Sequence, residues 1–425
     1  MNNIAPDIGA ENRYRTASET QIVDMLLVAA FVFELENGQR EKAIARVTTA
    51  LDDWIRLGLG FRMSERGERL FDPVEVVNRM KETGHQGLDH FWLDHFVATS
   101  RAFAREWETS AAASASPRSL DAARFSLTLL RRFNLTGMEC GQKLRLRLPL
   151  PLTQSSEGVE IEPIVAAELS ARVTRSEGRL YFQLAAPSAP VVDIAAVMSF
   201  TTNGRSTDGL QHEPGSDGSG IYVRPADGLI RVTPRVHELA RALAGAERRS
   251  LALASRFFHY IIDELMCGMV HYDQVNAEAP GDWVLDHGWY DCQLGSALLV
   301  SMCRAYGIPA RILSGHMLYR LAPGFHYWAE VWIDGQGWTP FDFLTWDLSE
   351  AGRDAAWRDH FAGAVDYRMV TQCFPLRFTG PMSVRLPAAW HLLNAPARDG
   401  MEISFTDLDG KLLYCDHVAS RKLQD

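Results

Sequence analysis

Cysteine is sparse in this chain, with six in 425 residues at Cys140, Cys267, Cys292, Cys303, Cys373 and Cys415 and no repeated spacing. No Cys-x-x-Cys and no His-x-x-x-His pair occurs, so the usual spacing of a structural zinc site is missing and free thiols are the expectation. A basic excess is missing as well. The 53 acidic residues outnumber the 43 basic ones and give a formal net charge of -10, which argues against partners such as nucleic acid or an anionic membrane. Long apolar runs are also absent: residues 25–33, between Asp24 and Glu34, are far too short for a bilayer span and read as a buried helix. Residues 1–16 are polar without an apolar core segment, so no secretory signal is read there and a cytoplasmic location is expected.

What is present is the composition of a globular protein, 47% apolar and 23% charged, in a chain too long for one ordinary core. Residues 1–112 have helical periodicity. Ile22, Met25, Leu26, Ala29, Ala30 and Phe33 form one stripe, and residues 43–57, 73–81 and 90–107 read as further helices. This region carries no catalytic constellation; it is expected to be a helical unit that packs on something else and offers a place for a protein partner. The small-residue stretch Ser110 to Ser119 marks a boundary. Beyond it the period changes to two, as in Lys143-Leu144-Arg145-Leu146-Arg147-Leu148, and residues 120–203 read as an antiparallel, sandwich-like β region. Residues 203–220, rich in Gly, Ser and Asp, read as an interdomain linker, with a lid as the alternative. A third unit spans 221–385. The last, 386–425, reads as a β-hairpin extension turning at Asp409-Gly410. The fold class expected is α+β.

Chemistry concentrates between Trp289 and Phe343. Leu294, Ala297, Leu298, Met302 and Ala305 form one helical face that stops at Gly307, with Pro309 beyond it. Asp291 is placed to cap this helix, so Cys292 falls in its first turn, where unpaired amides and the helix dipole favour a thiolate. The charge of Asp291 opposes that effect, so a cationic partner is required. A β-type run over His326 to Ile333 and a second over Trp338 to Phe343 flank the turn Asp334-Gly335-Gln336-Gly337. If a three-residue loop closes Ile333 against Gly337, Asp342 lies opposite Trp328 and diagonal to His326 on one face. A carboxylate there would fix the imidazole tautomer, whereas a register slip of one residue would send it to the other face.

These residues resemble a known pattern. Tyr290-Asp291-Cys292 leads to Arg304-Ala305-Tyr306-Gly307-Ile308-Pro309-Ala310-Arg311. Then follow His326-Tyr327-Trp328-Ala329-Glu330-Val331 and Gly337-Trp338-Thr339-Pro340-Phe341-Asp342. Together they are similar to the transglutaminase-like superfamily of bacterial cysteine enzymes, over roughly a third of the chain. The resemblance implies a papain-like core in which a helix bearing the cysteine packs on an antiparallel sheet bearing the histidine and aspartate. It implies Cys292 as nucleophile, His326 as general base and acid, and Asp342 as its orienter, with no cofactor and no metal. Two departures stand out: Tyr290 where the family usually has glycine two residues before the cysteine, and Gln293-Leu294-Gly295 after it.

Taken singly, Cys292 would be a buried structural thiol and His326 a core histidine; Cys303 reads as such a thiol. The main-chain amide of Cys292 is the first oxyanion candidate, with a second donor sought among Trp283, His287, Trp289 and Tyr272. Tyr290 and His316 are candidate walls of the pocket. The resemblance implies acyl transfer through a thioester from a protein glutamine, a peptide or a carrier-bound acyl thioester to an amine. An amidase or peptidase with the same three residues, and a non-catalytic binding module, are the alternatives.

Overall fold

The computed structural model describes residues 16–29, 31–32, 39–86, 88–89, 105, 122–176, 178–202, 220–268, 270, 275–321, 323–343, 361–374, 391–397, 400–406 and 412–423. The readings made for 110–119, 203–219, 407–410 and all but one residue of 90–107 fall outside these.

Three helices open the described chain: α1 (Glu19–Ala29), α2 (Arg40–Arg56) and α3 (Pro73–Thr83). The stripe on α2 buries Ala43, Val47, Ala50, Leu51 and Trp54. Helix α3 is punctuated on both sides. The Asp72 carboxylate accepts from the Val74 amide at 2.9 Å, Pro73 fills the first helical position, and Gly84 ends it at a φ of 61°. The helix read through residue 33 stops at Ala29 instead. Phe31–Val32 turn into a short strand that pairs with Leu88–Asp89, because an apolar stripe does not mark where helix yields to a β-favouring Phe-Val pair. The apolar side of this region packs with Met266 and Trp289, two residues far along the chain. Its docking partner is thus, at least in part, the rest of the same polypeptide.

The β region holds strands β1 (Ala123–Asn134), β2 (Lys143–Pro149), β3 (Glu157–Val165), β4 (Arg172–Ser176), β5 (Arg179–Ala185) and β6 (Val191–Thr202). Strand β2 points Leu144, Leu146 and Leu148 into the core shared with Phe125, Leu127, Ile194 and Met198, and leaves Lys143, Arg145 and Arg147 exposed. The C-terminal segment is more than an appended hairpin. It supplies three strands, His391–Ala397, Gly400–Thr406 and Leu412–Lys422, and the last pairs along β1 from Tyr414↔Phe133 to Lys422↔Phe125. Those strands, β1, β6 and β3 make one six-stranded antiparallel sheet. Alternation identifies a strand but not the neighbour it will pair with, which is why this closure escapes the sequence.

The unit that carries the chemistry is built around one helix. Helices α4 (Pro234–Ala244), α5 (Ser250–Glu264) and α6 (Pro280–His287) surround α7 (Cys292–Ala305), which is buried from Gln293 to Arg304. Several of its polar members find partners inside the core, although Arg304 Nη2 has none among the described residues. Ser301 Oγ donates to the Ala297 carbonyl and accepts from the Arg231 amide, and Arg304 donates to the Ala310 and Arg224 carbonyls and to Asp227. On α7 rests a four-stranded antiparallel sheet: β7 (Ala310–Met317), β8 (Phe325–Ile333), β9 (Gly337–Phe341) and β10 (Arg368–Phe374), in the order β9-β8-β7-β10.

Candidate active site

Asp291 caps α7 as expected, its Oδ1 accepting from the Leu294 amide at 2.8 Å, and Cys292 is the first helical residue. The β8–β9 hairpin takes the three-residue loop: Ile333 pairs with Gly337 and Ala329 with Phe341. Asp342 therefore follows on the face of Trp328 and His326. Phe341 and Phe343 on either side of it are buried against Phe258 of α5, with ring centroids 5.7 and 5.1 Å away, which anchors the carboxylate's backbone. His326 Nε2 lies 2.6 Å from Asp342 Oδ1. The carboxylate can only accept, so Nε2 carries the hydrogen and Nδ1 is left to take a proton.

Strand β8 also receives the thiol. The main-chain N–H of Tyr327, the residue after His326, is directed at Cys292. No hydrogen bond between the thiol and the imidazole occurs among the described residues. The half-buried Cys292 thiol is pushed well above its ordinary range, first by burial and then by Asp291, with the Tyr327 N–H opposing both. Burial and Asp291 thus oppose the pull of the helix terminus on this sulfur.

Asp342 is fully enclosed, at 0% exposure. Burial alone would raise its carboxyl, but Arg368 and then His326 outweigh it and hold it below the ordinary carboxylate range. Arg368, the first residue of β10, was not anticipated. Its Nη2 stands 2.5 Å from Asp342 Oδ2, a close ion pair. Its carbon Cζ lies 4.9 Å from the centre of the Trp328 ring. No motif surrounds Arg368 in the sequence, and a bulge decides where it points. Register between β7 and β10 shifts between Ser314 and Gly315, so Met317 pairs with Arg368. Without that extra residue the side chain would leave by the opposite face of the sheet. Gly315 makes the shift feasible, because a Cβ there would fall 1.9 Å from the Met369 carbonyl oxygen.

The pocket candidates disperse. Trp289 is buried in the core shared with the N-terminal helices, and Trp283 stacks on His287 at 4.3 Å beside the same region. His287 Nδ1 bonds back to the Trp283 carbonyl at 2.8 Å, one helical turn away. Trp283 and Trp289 pack with the apolar residues of the N-terminal region. Tyr272 is outside the described residues. His316 is buried beside Phe325 and held neutral by burial, its pKa pushed down to about 3. Tyr290 is likewise fully buried, edge-on to Phe343, and is no wall of an open mouth. Its ring occupies the space where a Cβ on residue 295 would stand, 2.7 Å away. The two departures from the family pattern, Tyr290 and Gly295, are one packing arrangement. Glu330, on the His326 face, is taken by the Arg311 guanidinium at 2.6 and 2.9 Å. Among the described residues no group of three or more His, Cys, Asp or Glu side chains is disposed to hold a metal ion, and no helix is long and apolar enough to cross a membrane.

Comparison with known proteins places this site in a recognised setting. Residues 237–343 match the model of the Transglutaminase-like superfamily. A protein-glutamine gamma-glutamyltransferase of Pseudomonas aeruginosa is 26% identical over 181 residues, 40% of this chain and 26% of its own length. The chain thus spans about a quarter of that relative. Among solved structures, a proposed cysteine protease from Cytophaga hutchinsonii superposes with a TM-score of 0.45 at 15% identity, over 72% of this chain and 93% of its own. The periplasmic domain of TgpA from Pseudomonas aeruginosa gives 0.31 at 17% identity, over 59% and 94%.

Proposed function

From the premise that this chain carries a transglutaminase-like core, we propose that it transfers acyl groups through a thioester on Cys292 and forms amide bonds. The observation that carries the reading is the 2.6 Å bond from His326 Nε2 to Asp342 on the strand whose next amide is directed at the Cys292 thiol. In the first half-reaction the thiol proton passes to His326 Nδ1 as sulfur attacks the carbonyl of an amide or thioester donor. The tetrahedral oxyanion forms near the Cys292 amide, which has no intrahelical carbonyl to bond. Collapse expels the amine or thiol, which leaves with the proton from Nδ1. In the second half an amine attacks the thioester, gives its proton to Nδ1, and departs as the amide while sulfur regains a proton. Asp342 throughout holds Nε2–H and balances the imidazolium.

The donor is a protein glutamine, a peptide or a carrier-bound acyl thioester, and the acceptor an amine. The name of the Pseudomonas relative supports transfer of this kind. Free thiols at all six cysteines support a reducing, cytoplasmic setting. Hydrolysis by the same three residues is the competing reading. Intact-mass spectrometry with a glutamine peptide or an acyl thioester, with and without a primary amine, separates them. An adduct on the wild type that disappears in Cys292→Ala, with amide product when amine is supplied, is the expected result. An adduct that persists in Cys292→Ala refutes the nucleophile, and acid product alone in the presence of excess amine refutes transfer.

A further inference from the structure

Arg304 and Arg368 are both buried arginines of the same unit, and they are held in different ways. Arg304 donates to two main-chain carbonyls and to Asp227, as a guanidinium that ties a structure together does. Arg368, 1% exposed, has no hydrogen bond from Nε or Nη1 among the described residues. Its engagements are the ion pair with Asp342 and the face of Trp328. A buried guanidinium with unused donors is unfavourable for folding. Its position is therefore better explained by what it does to Asp342 than by what it holds together.

We propose that Arg368 is a positioning residue of the catalytic centre, which balances the charge of Asp342 so that the carboxylate does not by itself draw the proton from Cys292 to His326, and the transfer comes only as the acyl donor arrives. The inference rests on the assignment of Cys292, His326 and Asp342 given above. A carboxylate bonded to an imidazole without a counter-cation favours the imidazolium, and with it a preformed thiolate–imidazolium pair. Here the carboxylate already has a cation at 2.5 Å on its other oxygen. A proton on His326 would then add a positive charge beside a balanced pair, in a space where Asp342, Arg368 and His326 are 0, 1 and 4% exposed.

The remaining groups around the site fit this charge balance. On the sulfur's side stand Asp291, which disfavours a thiolate, and Cys267, whose Sγ donates to the Phe343 carbonyl. On the side of Arg368, Asp366 accepts from the Tyr319 hydroxyl. Tyr327 contributes its amide to the thiol, and its phenol is held in the neutral form by burial. The step itself moves one proton from Sγ to Nδ1 and leaves the electron pair on sulfur, with no further reactant.

The test is the pH profile of Cys292 alkylation by iodoacetamide, read by peptide mass spectrometry from pH 5 to 10, in the wild type, Arg368→Lys and Arg368→Gln. A preformed ion pair shows as an acidic plateau of reactivity. The wild type is expected to show none, its rate rising with pH towards the alkaline end. Arg368→Gln keeps a donor for Asp342 without the charge, and should raise the rate at pH 6 relative to pH 9 at least tenfold. Arg368→Lys should retain the wild-type profile. An acidic plateau in the wild type overturns the proposal without recourse to any variant. A folded Arg368→Gln whose profile superimposes on the wild type overturns it equally. Both failures are distinguishable from failure of the functional reading, which shows as acyl transfer surviving in Cys292→Ala.

Discussion

Replacing Gly295 by alanine tests whether the two departures from the family pattern are one arrangement. A Cβ at 295 would stand 2.7 Å from Tyr290 Cδ2, 3.0 Å from Tyr290 Cε2 and 3.0 Å from Phe343 Cγ. Neither ring can retreat freely. Tyr290 is fully buried and edge-on to Phe343 at 5.6 Å, and Phe343 is in turn packed on Phe258 at 5.1 Å. In an unobstructed helix the change would stabilise by about 1 kcal/mol. Overpacking of a well-filled core costs about 1–3 kcal/mol, so the net effect should be a loss of up to about 2 kcal/mol. Tyr290→Leu alone leaves a gap and should also destabilise, by about 1–3 kcal/mol. Combined, the added methyl enters the space vacated by the ring, and the pair should be more stable than the sum of its parts by about 1 kcal/mol or more. Urea unfolding of the wild type, both single variants and the double variant measures this coupling. Additive losses, or a Gly295→Ala protein more stable than the wild type, would refute the packing argument. Because residue 295 is one turn from Cys292, the single variant should also lower acyl-transfer rate, and the double variant should recover part of it.

Three other outcomes follow from buried or capped charges. His316 has a folded pKa of about 3 against an ordinary 6.5, so its contribution to stability is complete above pH 6.5 and is lost as pH falls towards 3. The slope is about 1.4 kcal/mol per pH unit, and His316→Leu should flatten the curve of unfolding free energy between pH 6 and 4; an unchanged slope would contradict the burial of a neutral ring. Asp291→Ala should weaken the protein by about 1 kcal/mol through loss of the α7 cap. The same change should quicken alkylation of Cys292 near neutral pH, since Asp291 is the second cause that raises the thiol; slower alkylation in a folded variant would count against that sign. Glu330→Gln strands the Arg311 charge, whose partner it removes at 2.6 Å, and should cost about 3–5 kcal/mol in urea unfolding. Arg311→Met with Glu330→Leu should cost less than either change alone, and a larger loss in the double variant would show that the pair is not what the fold requires.

Much of the site was legible because its signals are local. Asp291 beside Cys292 specifies a cap and a first turn whatever surrounds them. The turn Asp334-Gly335-Gln336-Gly337 sets the hairpin register, and register alone places Asp342 on the face of His326. The helices on 43–57 and 73–81 and the strict alternation in 143–148 are read from periods that the backbone geometry imposes. What the sequence could not express is a partner distant along the chain. The strand at 412–422 reads as half of a hairpin, and only the fold shows that it lies along β1. Trp283, His287 and Trp289 are near Cys292 in sequence, yet a helical turn and a short strand aim them at the N-terminal helices. Tyr290 seemed to shape a mouth because a missing glycine was visible and the compensating Gly295 could not be connected with it until both met Phe343.

The state of the thiol shows the same division. Sequence supplies the helix terminus that would lower it, but burial is a property of the packed molecule, and at Cys292 burial pushes the thiol up. Arg368 is the clearest case. It is one arginine among many until a single bulge, admitted by Gly315, turns it to the face where Asp342 waits. The sequence by itself determined which groups could do chemistry and on which elements they ride, since caps, turns and periods act within a few residues. Tertiary structure decided which charges face one another and which are shielded from water, because Coulomb interactions and desolvation depend on distance in space and not along the chain.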